Sequence, residues 1–396
     1  MARITMLTFD HSPLDDRIFY KEAQSLVAAG HKLSLVCVAN VNNQVFDMGG
    51  TQQVNPKNEL TWEYKSVEIH AIPEPATKKE KLANKLFTGR FYNEFVNTAS
   101  KLESDVYIAH EPQTYYAGLA IQKRVSDSKL VFDSHESWFK GTPKENFILR
   151  KHLKNLQFLI SANHITRGYL QTMHPTLEAQ VVYNAAEMHL FSEPSPERLN
   201  RLKIAHDGYL PFNRGLREML EAIRIAKTEV PEVHLKIIGT TTGNERAYFN
   251  EFVAKHGLEE NISETGWLPY QKVGEALKDC AIGIIAKQPI LNNVIGGPPI
   301  KYFNYTAAQM AVVDVRMPET TRLLDTYLNG ISLQNNSAKN MAEALTSLYQ
   351  NNKLLESYCT ASKKASETLN WESESKKLVR FIDGAVLNKQ TLWHHK

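Results

Sequence analysis

Cysteine is scarce. The 396-residue chain holds three, Cys37, Cys280 and Cys359, all isolated. They offer neither a disulfide framework nor metal-ligand spacing, which leaves no zinc site to expect and suits a reducing compartment. Long apolar runs are missing as well. No stretch approaches the roughly 18 apolar residues of a membrane span, and the run after Met1 is too short for a signal peptide. A cytoplasmic protein is therefore expected. Net charge is nearly absent, at +3. The basic residues are dispersed without a recognition motif, which argues against a nucleic-acid partner. What remains is 42% hydrophobic and 22% charged, an ordinary globular composition in a chain longer than one core usually supports, so two domains are expected.

In the first half, Ile4–Phe9 reads as a buried strand. Phe19, Ala23, Leu26 and Val27 then fall on one helical face up to Gly30, and Leu33–Val38 is the next strand. Strand, crossover helix and strand form a parallel βαβ unit. The rhythm recurs at Val67–Ile72, Val106–Ala109, Leu130–Phe132, Phe158–Ser161 and Val181–Tyr183, which describes a doubly wound sheet. Such sheets bind ligands beyond the carboxyl ends of their strands. Those ends carry Asp16 and Arg17, then His110 and Glu111, then His135 and Glu136. A histidine there is either an acid, base or hydrogen-bond donor, or a cap on a strand. Two basic amphipathic stretches, Lys78, Lys79, Lys81, Lys85 and Arg90, then Lys144, Arg150, Lys151 and Lys154, suit either an anionic membrane surface or a solvated helix face.

The second half repeats the rhythm. Lys203–His206, His234–Ile238, Ile262–Gly266, Ala281–Ala286 and Ala311–Val315 read as strands, and helical spacing follows to about Leu387. Arg214 precedes a helix, where a dipole already favours an anion. Gly296, Gly297 and two prolines lead into a helix carrying Lys301 and Asn304. Backbone amides, a helix start and a lysine make either a phosphate cradle or a plain turn.

In order and spacing, these segments resemble glycosyltransferase family 4. The likeness rests on Asp15 to His31, Ile108 to Pro112, Val131 to Glu136, Gly208 with Arg214 to Leu216, Ile237 to Gly239, and Pro299 to Tyr305. It implies the GT-B fold, two Rossmann-like doubly wound parallel-sheet domains facing across a cleft, with a C-terminal helix crossing back to the first. The expected domains are residues 1–185 (acceptor), 186–370 (nucleotide-sugar) and 371–396 (returning helix and tail). The implied activity is hexosyl transfer from a nucleotide-sugar, a UDP- or GDP-sugar, to a glycan or lipid-linked acceptor. It would proceed with retention, without a metal or permanently bound cofactor, in surface polysaccharide or glycoconjugate synthesis, with peripheral contact at the inner face of an anionic membrane.

By the same resemblance, His135, Arg214 and Lys301 carry the chemistry. Gly208, Tyr209, Gly239, Leu268, Gly296, Gly297 and Asn304 line the donor, while Asp16, Arg17, His110 and Glu111 face the acceptor. Fixed cations near the departing diphosphate would lower the barrier. Two departures stand out: Tyr209 replaces a second basic residue, and Asn304 replaces the glutamate that commonly holds the ribose, with Gly296 eight positions before it. A neutral amide holds a hydroxyl less strongly than a carboxylate does. The alternative is a catalytically weak or inactive GT-B protein that serves another transferase as partner or regulator.

Overall fold

The computed structural model describes residues 1–50, 52–80, 89–135 and 155–387. Of the basic stretches, Lys81, Lys85, Lys144, Arg150, Lys151 and Lys154 lie outside these residues, as do Glu136 and the tail from residue 388. The chain divides into two compact units. The first is Met1–Val182 together with the segment from Ser375, and the second is Tyr183–Glu374.

The first unit holds an eight-stranded sheet: β1 (Arg3–Leu7), β2 (Lys32–Ala39), β3 (Thr61–Tyr64), β4 (Val67–Pro73), β5 (Val106–Ala109), β6 (Lys129–Ser134), β7 (Phe158–Ser161) and β8 (Glu178–Val181). Its order is β3-β4-β2-β1-β5-β6-β7-β8. Strands such as β5 are apolar throughout and buried on both faces, as a sheet sandwiched between helices requires. The sequence had suggested only parallel strands. At one edge, however, β3 pairs antiparallel with β4 through a two-residue turn in which Lys65 and Ser66 carry φ of 46° and 62°. Positive φ at both central residues defines the tight hairpin turn that glycine or asparagine usually occupies. The last strand also lies earlier than Val181–Tyr183, at Glu178–Val181.

In the second unit the sheet is β9 (Lys203–Asp207), β10 (His234–Ile238), β11 (Ile262–Glu264), β12 (Ile282–Ile285), β13 (Ala311–Asp314) and β14 (Gly330–Ser332). It is wholly parallel, in the order β11-β10-β9-β12-β13-β14. Its core joins Ile204, Leu220, Ile223, Ile237, Ile284 and Val313; that of the first unit gathers Leu7, Val36, Phe95, Tyr107, Phe132 and Leu159. Each such side chain contributes about 1.5–3 kcal/mol on burial.

The C-terminal helix crosses back, as expected of this fold. Trp371 donates its amide to Ala186 in the second unit (2.8 Å). Within the first unit the following π-helical turn, Phe381–Leu387, buries Phe381, Ile382, Ala385 and Val386. There His31 lies 3.2 Å from Asp383.

In each sheet, successive strands leave the first one in opposite directions. The reversal falls between β1 and β5 in one unit and between β9 and β12 in the other. Connections diverge there, leaving a crevice at the carboxyl ends of the strands.

Candidate functional site

In the second unit the crevice has a visible cause. Strands β12 and β9 pair only at Ile282↔Ile204 and Gly283↔Ala205, and then part. The Tyr305 hydroxyl, on the helix Ile300–Ala307, fills the gap. It donates to the carbonyls of Ala205 (3.2 Å) or Ile284 (3.3 Å) and accepts from the Asp207 amide (2.9 Å). Position 283 must be glycine, because a Cβ there would stand 2.3 Å from the Tyr305 ring. One helical turn before Tyr305, Lys301 falls over the same gap.

Lys301 is buried with its Nζ 3.1 Å from His206 Nε2 at the end of β9. Burial lowers His206 well below its usual range, and the Lys301 charge adds to the effect; the imidazole is neutral and accepts from the ammonium. Burial brings Lys301 itself down to about 7, against the pull of Asp207 and with the push of Arg214 and Lys287. A cation held at this cost is relieved by an arriving anion.

Beside it, the Asn304 amide donates to Asp207 Oδ2 at 2.6 Å, and Tyr270 donates to Asn304 Oδ1 at 3.4 Å. Burial raises Asp207, while Lys301 and the Asn304 hydrogen bond oppose the shift. The glutamate that the resemblance leads one to expect at position 304 is absent, yet the Asn304 amide meets a carboxylate contributed by the end of β9. Sequence reading missed Asp207, His206 and Tyr305, whose partners Asn304, Lys301 and Ala205 lie 95 or more residues away.

Arg214 is exposed at the start of the helix Leu216–Ala226, with Nη1 3.4 Å from the Tyr209 carbonyl. The intervening Gly215 has φ of 88°, and a Cβ there would meet the Ala286 carbonyl at 2.2 Å. Close packing against the end of β12 therefore fixes where Arg214 emerges. Tyr209 is exposed, its hydroxyl 3.0 Å from Thr242. Gly208 and Gly239 follow β9 and β10, Leu268 lies beyond β11, and Gly296 and Gly297 precede the Lys301 helix.

The crevice of the first unit gathers most of the other expected residues. Arg17 is buried against both Asp133 oxygens (3.2 and 3.3 Å) and 2.8 Å from Glu22, and donates to the Val182 carbonyl. Asp133 also faces Nδ1 of His110 and of His135, each at 3.3 Å. Burial acts to raise Asp133, but Arg17 and the two histidines hold it well below the usual carboxylate range. Burial and the Asp133 charge push Glu22 well above that range in spite of Arg17. Burial lowers His110.

Glu111 is engaged by its own unit. It accepts from the Thr8 and Thr114 hydroxyls and from the amides of Phe9 (3.2 Å) and Asp10 (3.3 Å), closing the loop after β1. Asp16 is half-buried at the start of the helical turn that Asp15 caps. Asp15 and His11, which sequence reading passed over, belong to this cluster: burial acts to raise Asp15, while its contact with His11 and the Ile18 amide bring it to about 2. His110, Asp133 and His135 place ligating atoms within 4.8 Å of one another, but Arg17 already holds both Asp133 oxygens.

Residues 190–365 match the family described as glycosyl transferases group 1. A sequence search of curated proteins returns no match. Solved structures similar over nearly the whole chain include sucrose-phosphate synthase from Thermosynechococcus elongatus (TM-score 0.70, 12% identity, 97% of this chain and 98% of that one). Anabaena HepE in complex with UDP and glucose gives 0.67 at 13% identity, covering 97% and 100%. A TarM mutant of S. aureus in complex with UDP gives 0.68 at 11%, covering 97% and 100%. The two parallel-sheet α/β domains of this chain thus match the GT-B architecture.

Proposed function

We propose that the protein is a glycosyltransferase whose second unit binds a nucleotide-sugar, a UDP-sugar in the first instance, at the split between β9 and β12. The buried ammonium of Lys301 carries the reading. It faces a neutral imidazole, has no carboxylate in salt-bridge contact among the described residues, and sits at the carboxyl ends of parallel strands inside the segment matched to glycosyl transferases group 1. Structural neighbours holding UDP or UDP-glucose support the donor class.

In this reading Lys301, Arg214 and the amides near Gly296 and Gly297 stabilise the diphosphate as it departs, without a metal on the phosphates. Asn304 and Asp207 act together on donor hydroxyls: the amide holds one carboxylate oxygen, and the other is left to accept. His135 hydrogen-bonds sugar hydroxyls, Asp16, Arg17, His110 and Glu111 shape the acceptor region, and transfer to a glycan or lipid-linked acceptor proceeds with retention. The pairing of Asp207 with Asn304 weighs against the alternative of an inactive partner protein, because it restores a carboxylate to the donor site.

Calorimetry with UDP and GDP, followed by hydrolysis of a UDP-sugar panel, tests the reading. UDP binding that is lost in Arg214→Ala, with slow sugar release from one donor, is the expected result. No nucleotide binding at millimolar concentration would sink it.

A further inference from the structure

The chain passes between its two units after Val182 and again after Glu374. The first passage is a single trans peptide bond, and both of its polar groups are held. Such a peptide is planar, with its carbonyl and its N–H pointing to opposite sides. The Val182 carbonyl accepts from Arg17 Nη1 at 3.1 Å, and the Tyr183 amide donates to Glu374 Oε2 at 2.9 Å. A cation on one side and a carboxylate on the other fix the plane, through bonds that charge strengthens. Val182, Tyr183, Arg17 and Glu374 are all buried.

Each end of this peptide leads to a site. On the Arg17 side, the same guanidinium grips both Asp133 oxygens, and Asp133 faces Nδ1 of His110 and of His135. One planar fork thus spans the polar cluster of the first crevice and the carbonyl, a reach that a lysine's point charge lacks. On the Tyr183 side, the ring packs against Phe303, centres 5.5 Å apart with planes at 39°, and its hydroxyl accepts from Arg322. Phe303 is buried in the helix Ile300–Ala307, between Lys301 and Asn304. Two further bonds run beside Glu374, from the Trp371 amide to the Ala186 carbonyl (2.8 Å) and from the Met188 amide to Glu372 (3.1 Å). The segment entering the second unit is therefore tied to the one leaving it.

We propose that the Val182–Tyr183 peptide is a positioning joint: Arg17 holds it to the polar cluster of the first crevice, and Tyr183, seated on Phe303, passes its orientation to the helix that places Lys301. A ligand hydroxyl that draws on His135 shifts Asp133 and Arg17, and the shift reaches Lys301 through packed groups. Arg17 and Tyr183 act here as positioning residues, without touching the donor. Local spacing does not reveal the route, since Arg17 and Val182 stand 165 residues apart and Tyr183 and Glu374 191. The inference rests on the donor reading only for what Lys301 binds.

Calorimetry with UDP on the full-length wild type, Arg17→Lys, Tyr183→Leu and the double variant tests it. Arg17→Lys keeps the charge beside Asp133 and gives up the fork. Each single change should weaken UDP binding by about 2–30-fold, and the double variant should bind no more weakly than the worse single. Hydrogen exchange without nucleotide supplies a second readout. In Arg17→Lys the amides of the helix Ile300–Ala307 should exchange faster, while those of β10 keep their protection. Additive losses overturn the proposal, as does wild-type UDP affinity in Arg17→Lys with exchange altered only in the first unit. A wild-type protein that binds no UDP, with the exchange effect in Ile300–Ala307 present, would end the donor reading and leave the joint standing. UDP binding alike in every variant, with no such effect, would do the reverse.

Discussion

At the split between β1 and β5, Arg17, Glu22, Asp133 and two histidines settle their charges among themselves. At the split between β9 and β12, a buried ammonium is left facing a neutral imidazole. Both crevices have the same topological origin and comparable burial. They differ in whether the positive charge has an ionic partner. A paired buried cation serves its own fold, since removing either partner strands the other. A cation without one weakens its fold and has that cost returned when an anion arrives.

Substitutions should separate the two cases. Arg17→Met strands Asp133 and should lower stability by about 3–5 kcal/mol in urea unfolding. Lys301→Met should leave stability unchanged or raised, yet weaken UDP binding by about 10–100-fold in calorimetry. Equal stability losses in the two variants would erase the contrast.

Acidity sharpens the same comparison. Folding lowers Lys301 from 10.5 to about 7, so between those values the unfolded chain binds more proton than the folded one. Its contribution to stability therefore rises with pH across that window. Nucleotide binding should run the other way, falling by at most about tenfold per pH unit above 7 as the ammonium is lost. His206, Asp207, Arg214 and Lys287 set the local field, and Lys301→Met should flatten both slopes. Unfolding and UDP titrations from pH 6.5 to 9 report this directly. The smallest change expected is in Tyr209→Arg, which should strengthen UDP binding a few-fold by supplying a second exposed cation near Arg214.

Most of the strands are legible in the sequence because parallel strands bury both faces and read as unbroken apolar runs, as in β5 and β12. The hairpin strand β3 buries only Trp62 among Thr61, Glu63 and Tyr64, and its turn uses Lys65 and Ser66 instead of glycine or asparagine. Neither standard signal is present. For the candidate site, residue type and position singled out Lys301, Arg214, Arg17 and His135 but not their company. Asp207 meets Asn304 across 97 residues and His11 meets His135 across 124. Such pairs exist only after the sheets close, so a reading by local spacing sees one member of each. The difference matters most at Asn304, where a missing glutamate looked like a missing carboxylate.

Tyr305 sets a tolerance. Its single hydroxyl accepts one amide and donates to one of two facing carbonyls where the strands part, so the width of the gap is held to within a hydrogen bond's play, about 0.3 Å. Lys301 stands one helical turn away on that same ruler. A displacement of about 1 Å is enough to cost a catalyst about a hundredfold. Tyr305→Phe would keep the ring and lose the gauge: the lysine would remain, with nothing calibrating where it stands.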